Sequence, residues 1–330
     1  MPDRYDLVVL GDANPDVILR GAPEALTFGQ AEREVAGATL TLGGSGALMA
    51  HAAARLGLRT AFIGVVGADR AADLVLDVLT EAGVDVANVT RDPALGTAMT
   101  VIFVRPDGDR AMLTYPGALS AFGPQHVDAS VLARTRHLHL ASAFLQPKLT
   151  AALPALFAAA QVAGAATSLD TNDDPSGQWD FERDALLPVV DYLLPNEREA
   201  VALAFGAPSE ATSLAAARSL AAHGPVVVVK CGAAGAFAVD ERRDASRVLR
   251  ATLDAPTADH SGVVDTVGAG DTFDAGLVAG LSQGLALRDA LRLAVAAGTS
   301  SVRRAGGADG QPTAAVAARL AERVVVEDEE

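Results

Sequence analysis

The stretch Val264-Asp265-Thr266-Val267-Gly268-Ala269-Gly270-Asp271-Thr272-Phe273 sets three small residues and a carboxylate at the start of an apolar periodicity. Gly268, Ala269 and Gly270 let a backbone turn sharply and come close to a ligand, because little side chain stands in the way. Phe273, Leu277 and Leu281 then recur every fourth residue, which predicts one apolar face of a helix. Asp271 falls in the first turn of that helix, where free N–H groups and the positive end of the helix dipole attract anions, phosphate above all. A carboxylate beside an anion cradle suits the removal of a proton from a hydroxyl that then attacks phosphorus. The same spacing also suits a glycine-rich turn with Asp271 as a helix cap.

Such a loop needs a scaffold, and the chain reads as strands alternating with helices. Leu7-Val8-Val9-Leu10 is a buried-strand run stopped by Gly11-Asp12, and Asn14 and Asp16 follow just past its end. Open α/β sheets bind ligands at that edge, although a cluster of turn caps fits Asn14 and Asp16 as well. Gly43-Gly44-Ser45-Gly46 leads into a helical run over 47–56. A strand over 60–66, a helix over 72–82 and a helix over 147–163 continue the rhythm. Ser168-Leu169-Asp170-Thr171-Asn172 reads as a strand end that aims Asp170 and Asn172 to one side if the strand continues that far, or else as an Asx-rich turn. Tyr192-Leu193-Leu194 runs into Pro195-Asn196-Glu197-Arg198-Glu199, where Asn196 and Glu199 are spaced like a capping box. Val226-Val227-Val228-Val229 is a buried strand feeding Lys230-Cys231-Gly232-Ala233-Ala234-Gly235, and a helix covers 287–297. Two segments break the rhythm. Residues 17–42 are irregular and then alternate, and 97–104 and 110–115 flank a Pro106-Asp107-Gly108 turn, a strong hairpin signal. They predict a small extra sheet.

Bulk properties exclude several classes. Half of the 330 residues are hydrophobic and a fifth are charged, so a full-sized core is available. A net charge of -15 argues against nucleic-acid binding and against attraction to anionic membranes. One cysteine, Cys231, leaves no internal disulfide. The start of the chain has no apolar signal region and no apolar run is long enough to cross a bilayer, so a soluble, cytoplasmic protein is expected. His137 and His139 share a strand face without a third ligand nearby, which favours ordinary strand histidines over a metal site. The tail Glu327-Asp328-Glu329-Glu330 reads as a solvated acidic end.

The late stretch resembles the DTxGAGD signature of the ribokinase-like (PfkB) carbohydrate kinases, matched at Asp265, Thr266, Gly268, Ala269, Gly270 and Asp271. The resemblance extends from Gly11 to Gly310 and implies one kinase domain over the whole chain: a doubly wound three-layer α/β/α sandwich with a small β-sheet lid. In that family the glycine loop is an anion hole for the transferred phosphoryl group and its last aspartate is the catalytic base. Those roles fall to Gly268, Ala269, Gly270 and Asp271. The opening Asn14 and Asp16, with Gly43, Gly44, Ser45 and Asn172, match substrate contacts, Asp16 gripping sugar hydroxyls. Asn196, Lys230, Gly232, Gly235, Ala297 and Gly298 match nucleotide contacts, with Ala294, Ala297 and Gly298 leaving room for adenine. Glu199 matches a magnesium ligand acting through water.

The implied cofactors are ATP and Mg2+, with K+ in some members. Asp265 and the carbonyls of Val267, Ser301 and Gly306 match that K+ site, where Gly310 replaces a serine ligand. The implied partner is a small carbohydrate, a sugar or keto-sugar acid, and the lid sheet is a homodimer clasp in some members. Leu48 stands where many members have asparagine, and Ser45 where ribokinases proper have lysine, which removes donors from the sugar site and makes ribose a poor expectation. A nucleoside kinase of the same fold, with Leu48 and Phe144 accepting a flatter acceptor, uses the same motifs. A non-catalytic sensor has no need of Asp271.

Overall fold

Continuous apolar runs such as Leu7–Leu10 are the kind buried on both faces of a parallel sheet. The computed structural model, which describes residues 4–25, 28–107, 109–206, 209–242, 247–254, 263–304 and 306–329, places them so. The strands are β1 (Leu7–Leu10), β2 (Asn14–Arg20), β3 (Gly37–Gly43), β4 (Thr60–Ile63), β5 (Val65–Gly67), β6 (Thr90–Asp92), β7 (Met99–Val104) and β8 (Arg110–Tyr115). They continue as β9 (His137–Leu140), β10 (Ala166–Leu169), β11 (Tyr192–Leu193), β12 (Val226–Lys230), β13 (Ala236–Asp240), β14 (Arg247–Leu253) and β15 (Val324–Glu329). The longer helices are α1 (Ser45–Arg55), α2 (Arg70–Glu81), α3 (Leu153–Val162), α4 (Glu197–Phe205), α5 (Ser213–Ala221), α6 (Ala269–Ser282), α7 (Leu287–Ser301) and α8 (Ala314–Ala321).

The main sheet has nine strands in the order β15-β14-β13-β12-β11-β10-β9-β1-β4. From β12 to β4 all pairs are parallel; β12 to β15 pair antiparallel. Alternate residues feed opposite faces, as strand geometry requires. Val8 and Leu10 join Val227 and Val229 in a core with α3, α4 and α5. Leu7 and Val9 pack with α1, α2 and α6 on the other face, and Val226 and Val228 pack there with α6 and α7. Helices on both faces of a mainly parallel sheet make the three-layer α/β/α sandwich.

A second sheet, in the order β3-β2-β7-β8, forms the lid. Strand β2 begins earlier than the sequence suggests, since Asn14 and Asp16 lie on it and 17–20 is strand rather than irregular chain, whereas β7 begins at Met99, later than expected. The hairpin of β7 and β8 pairs Val104 with Arg110 around the predicted turn, of which Gly108 lies outside the described residues. The 60–66 run divides at Gly64, where a Cβ would stand 2.7 Å from the Gly11 carbonyl oxygen, so β4 stays in the main sheet and β5 leaves to pair with β6. Helix α2 starts at Arg70, ahead of expectation, because the Asp69 carboxylate accepts the Ala72 N–H at 3.0 Å. The 147–163 run is two helices, Pro147–Thr150 and α3.

The acidic tail is solvated as expected, with Glu327, Asp328 and Glu329 exposed, but it is also the end of a strand. Val324 and Val326 alternate inward, β15 pairs with β14, and Asp328 and Glu329 form ion pairs with Arg247, Arg288 and Arg250. Glu330 lies outside the described residues. No helix among the described residues is long and apolar enough to cross a membrane.

Candidate functional site

Asp12 follows β1, Asp170 and Asn172 follow β10, Asn196 follows β11, and Lys230 ends β12. All stand at the carboxyl ends of parallel strands, the edge where open α/β sheets bind ligands. There a cavity of about 780 Å³ opens, lined by Ser45, Asp170, Asn172, Asn196, Glu199, Lys230 and Asp271, among others.

The glycine loop enters α6 as its spacing predicts. Gly268 is the N-cap with φ +71°, a left-handed backbone that glycine adopts without strain, and Asp271 lies in the first turn. The Thr272 N–H and Oγ both donate to the Gly268 carbonyl, at 2.9 and 2.7 Å, and this closes the turn. Ala269, Gly270 and Asp271 face the cavity. Asp271 is only 8% exposed. Burial, reinforced by the Asp170 and Asp12 charges, lifts its carboxyl to about 8, against the opposing pull of Lys230 and Ser45. A buried carboxyl poised near neutrality on the wall of an open cavity is suited to general-base work.

Lys230 does not stand free. Its ammonium is 2.6 Å from Asp170 Oδ2 and 3.2 Å from Asp274 Oδ2. Burial opposes the charge on Lys230, yet Asp170, Asp274 and Glu199 outweigh it and hold the ammonium above its ordinary range. Asp274, one turn beyond Asp271 on α6, is driven upward by burial.

On the acceptor side, Asp12 accepts the Ser45 and Gly46 N–H groups at 3.2 and 2.9 Å, so its carboxylate caps the start of α1. Gly44 precedes that helix with φ +83°, and a Cβ there would stand 2.8 Å from the Asp12 carbonyl oxygen. Asn14 Nδ2 donates to Asp16 Oδ1 at 2.8 Å, and Asp16 packs so closely on Gly43 that a Cβ would lie 2.1 Å from its carboxyl. Burial, with the nearby Asp12 charge, raises Asp16 to about 7. Asn14, Asp16, Gly43 and Gly44 gather at the root of the lid behind Ser45; they do not line the cavity themselves. Strand β10 stops at Leu169, so Asp170 and Asn172 do not share a strand face as expected. Asp170 turns to Lys230. Asn172 adopts φ +54° and donates to Ser45 Oγ and Ser142 Oγ at 2.7 and 2.8 Å. Ser142 is left-handed too, φ +59°. Non-glycine residues held there mark a functional site.

On the other side, Asn196 and Glu199 form the reciprocal capping box of α4: Asn196 N–H and Nδ2 donate to Glu199 Oε2 and Oε1 at 2.8 and 2.5 Å. Both line the cavity with Gly232, Gly235 and Gly298. Ala297 does not, and neither does Ala294. Both are fully buried, and a Cβ on Gly276 of α6 would stand 2.9 Å from each, so their small size serves the α6–α7 contact. The apolar slot is lined by Leu253, Phe273, Val295 and Val302. Asp265 accepts the Val267 and Gly306 N–H groups, both at 3.0 Å, and faces Arg20 at 3.8 Å. A side chain at Gly310 would stand 2.0 Å from the Ser301 carbonyl oxygen, so a serine ligand has no room. These residues do not fit a monovalent cation as they stand.

Leu48 packs against the glycine loop, 3.2 Å from where a Cβ on Gly268 would stand, and Phe144 packs edge-on to Trp179 at 5.5 Å. Like Asp16, neither is among the residues that line the cavity. His137 Nε2 and His139 Nδ1 lie 2.7 and 2.8 Å from Ser168 Oγ, as ordinary strand residues do. Sequence reasoning missed Asp12, Asp274, Arg110 of the lid and Arg303 after α7 as cavity groups or their neighbours. Asp12 alone carried a signal, in its place directly after β1.

Comparison with known proteins agrees with this geometry. The pfkB family carbohydrate kinase model matches residues 4–314. A ribokinase of Haemophilus influenzae is 27% identical over 317 residues, covering 94% of this chain and 96% of its own length. An ATP-dependent ribose-1-phosphate kinase of Halopiger xanaduensis is 32% identical over 319 residues, covering 95% and 97%. The structure of Arabidopsis thaliana ribokinase complexed with ribose and ATP, 23% identical, shares the fold with a TM-score of 0.82 over 97% of this chain and 99% of that one. A glycine cradle and buried aspartate at the mouth of an α/β/α sheet, under a four-stranded lid, agree with the family match along nearly the whole chain: this protein belongs to the pfkB family of carbohydrate kinases.

Proposed function

We propose that Asp271 is the general base of an ATP-dependent transfer of the γ-phosphoryl group to a carbohydrate hydroxyl, within one kinase domain that spans the chain. The observation that carries this is the buried carboxyl at the N-terminus of α6, on the cavity wall beside Gly270. The acceptor lies between Ser45, Asn172 and Asp271, with Asp16 gripping its hydroxyls from the lid root. Asp271 takes the hydroxyl proton as the oxygen attacks phosphorus, and the amides at Gly268 and Gly270 receive the negative charge, the Ala269 N–H being given to the Thr266 carbonyl at 3.3 Å. ATP spans Asn196, Gly232, Gly235 and Gly298, with adenine in the apolar slot. Asn196 and Glu199 offer hard oxygen donors suited to Mg2+. Both Glu199 oxygens already accept bonds from Asn196, so the fit is to a hydrated ion held through its waters. Bound there, Mg2+ neutralises phosphate charge. No role is assigned to K+.

The test is Mg2+-dependent ADP release from ATP against a panel of pentoses, hexoses, keto-sugar acids, sugar phosphates and nucleosides. One carbohydrate giving turnover supports the reading; turnover confined to nucleosides overturns it. The pH dependence follows from Asp271. A base must be ionised, so kcat/KM is expected to fall about tenfold per unit as pH drops below about 8. A flat profile down to pH 6 would exclude a base with so high a value.

The lid favours a homodimer. Leu40, Val17, Val101 and Leu113 stand in one row across its four strands, on the face opposite Asp16. Leu40, Leu113 and Tyr115 are 56%, 62% and 56% exposed. A solvated sheet face carries polar residues, and an apolar one calls for a partner sheet. Leu113→Lys is expected to convert a dimer into a monomer in sedimentation analysis. A wild-type monomer at micromolar concentration would refute the clasp.

A further inference from the structure

Strand β12 delivers an ammonium into a ring of carboxylates. Lys230 lies between Asp170, from the turn after β10, and Asp274 of α6, at 2.6 and 3.2 Å. Its Nζ is 3.6 Å from where a Cβ on Gly270 would stand, so it sits against the anion-cradle loop itself. Asp274 and Asp271 are one turn apart on α6 and therefore share a face. The other charged groups around Asp271 are Asp12 from the turn after β1 and Glu199 from the first turn of α4, with Arg110 and Arg303 on the cavity wall. His139 of β9, buried and held neutral, adds no charge. A buried lysine with two buried carboxylates rarely stabilises a fold more than apolar side chains of the same volume would. The arrangement therefore calls for a functional account.

We propose that Lys230, locked against Gly270 by Asp170 and Asp274, is a positioning residue whose fixed charge allows Asp271 to ionise among the neighbouring carboxylates and so sets the pH range of the reaction. Lys230 touches neither the hydroxyl proton nor the acceptor. This inference rests on Asp271 as the base and goes beyond it, because the base alone requires no lysine. Taking away the ammonium must raise the carboxyl, and taking away the Asp170 charge while keeping the ammonium must lower it.

The experiment measures kcat/KM against pH for the full chain and for Lys230→Met, Lys230→Arg and Asp170→Asn, with thermal melts to confirm folding. In Lys230→Met the acid limb is expected to move up by about one to two pH units, which lowers the rate at the wild-type midpoint roughly tenfold or more while activity recovers at higher pH. Lys230→Arg keeps the wild-type limb. In Asp170→Asn the limb moves down. Loosened packing lowers both variants at every pH and cannot move the two limbs in opposite directions.

Unmoved limbs, shifts of the same sign, or a Lys230→Met defect confined to the KM for ATP would overturn the proposal. If Lys230→Met does not fold, Asp170→Asn decides: a wild-type limb there refutes it. Turnover retained in Asp271→Asn removes the base assignment itself, a failure distinct from any result at Lys230.

Discussion

Asp271→Asn is expected to bind ATP and acceptor as the wild type does and to lose turnover by roughly 10²–10⁴-fold, the usual contribution of a positioned general base. Asparagine keeps the shape and the first-turn position but cannot take a proton. The same substitution is expected to raise thermal stability. The carboxyl of Asp271 rises from 3.8 to about 8 on folding, so the stability this group contributes is present below 3.8 and is lost as pH climbs through 8. At pH 8 and above the wild type carries a buried charge that the variant lacks, a difference on the order of a few kcal/mol for so large a shift. A melting temperature several degrees higher, together with loss of turnover, would show an active site that gives up stability for chemistry. Retained turnover would sink the base assignment, whatever the melt shows.

Gly43→Ala should be the second most damaging change, and it acts on the acceptor. A Cβ at this position would stand 2.1 Å from the Asp16 carboxyl, which is buried and tied to Asn14. Gly43 has no left-handed backbone to lose, so β3 can accept alanine and the chain should still fold. The carboxylate must swing away from the position that grips hydroxyls. Losing a hydrogen bond to a charged group costs about 1.5–3 kcal/mol, which corresponds to a rise of roughly 10–100-fold in acceptor KM. The KM for ATP should stay within about twofold, because Gly43 is remote from the apolar slot. An unchanged acceptor KM in initial-rate kinetics would mean that Asp16 does not hold the substrate.

The cradle was legible in the sequence because its physics is local. Gly268, Ala269 and Gly270 permit the turn, the apolar period from Phe273 defines the helix, and the two together place Asp271 in a first turn. The buried strands were legible for the same reason, since runs such as Val226-Val227-Val228-Val229 need no partner to be recognised. Asn196 and Glu199 fit both a capping box and a ligand-facing pair in the sequence; the cap forms, and both residues line the cavity.

Contacts between distant segments were not legible. Ala294 and Ala297 looked like space left for adenine, yet that space is filled by Gly276 of α6, since a small residue clears room only on the side that faces it. Leu48 looked like a loss from the sugar site, but helix phase turns it under Gly268 and Gly307. The acidic tail became an edge strand because β14 offered arginines and open backbone groups to pair with.

By itself, then, the sequence determined the strand–helix rhythm, the extra sheet, the glycine loop that enters α6 and the first-turn place of the aspartate proposed as base, all set within a few residues of chain. Only the tertiary structure decided which charges meet. Lys230 finds Asp170 and Asp274 across separations of 60 and 44 residues, and the ionisation of Asp271 depends on that encounter. Electrostatic coupling depends on distance in space and on burial, and neither is encoded in the order of residues along the chain.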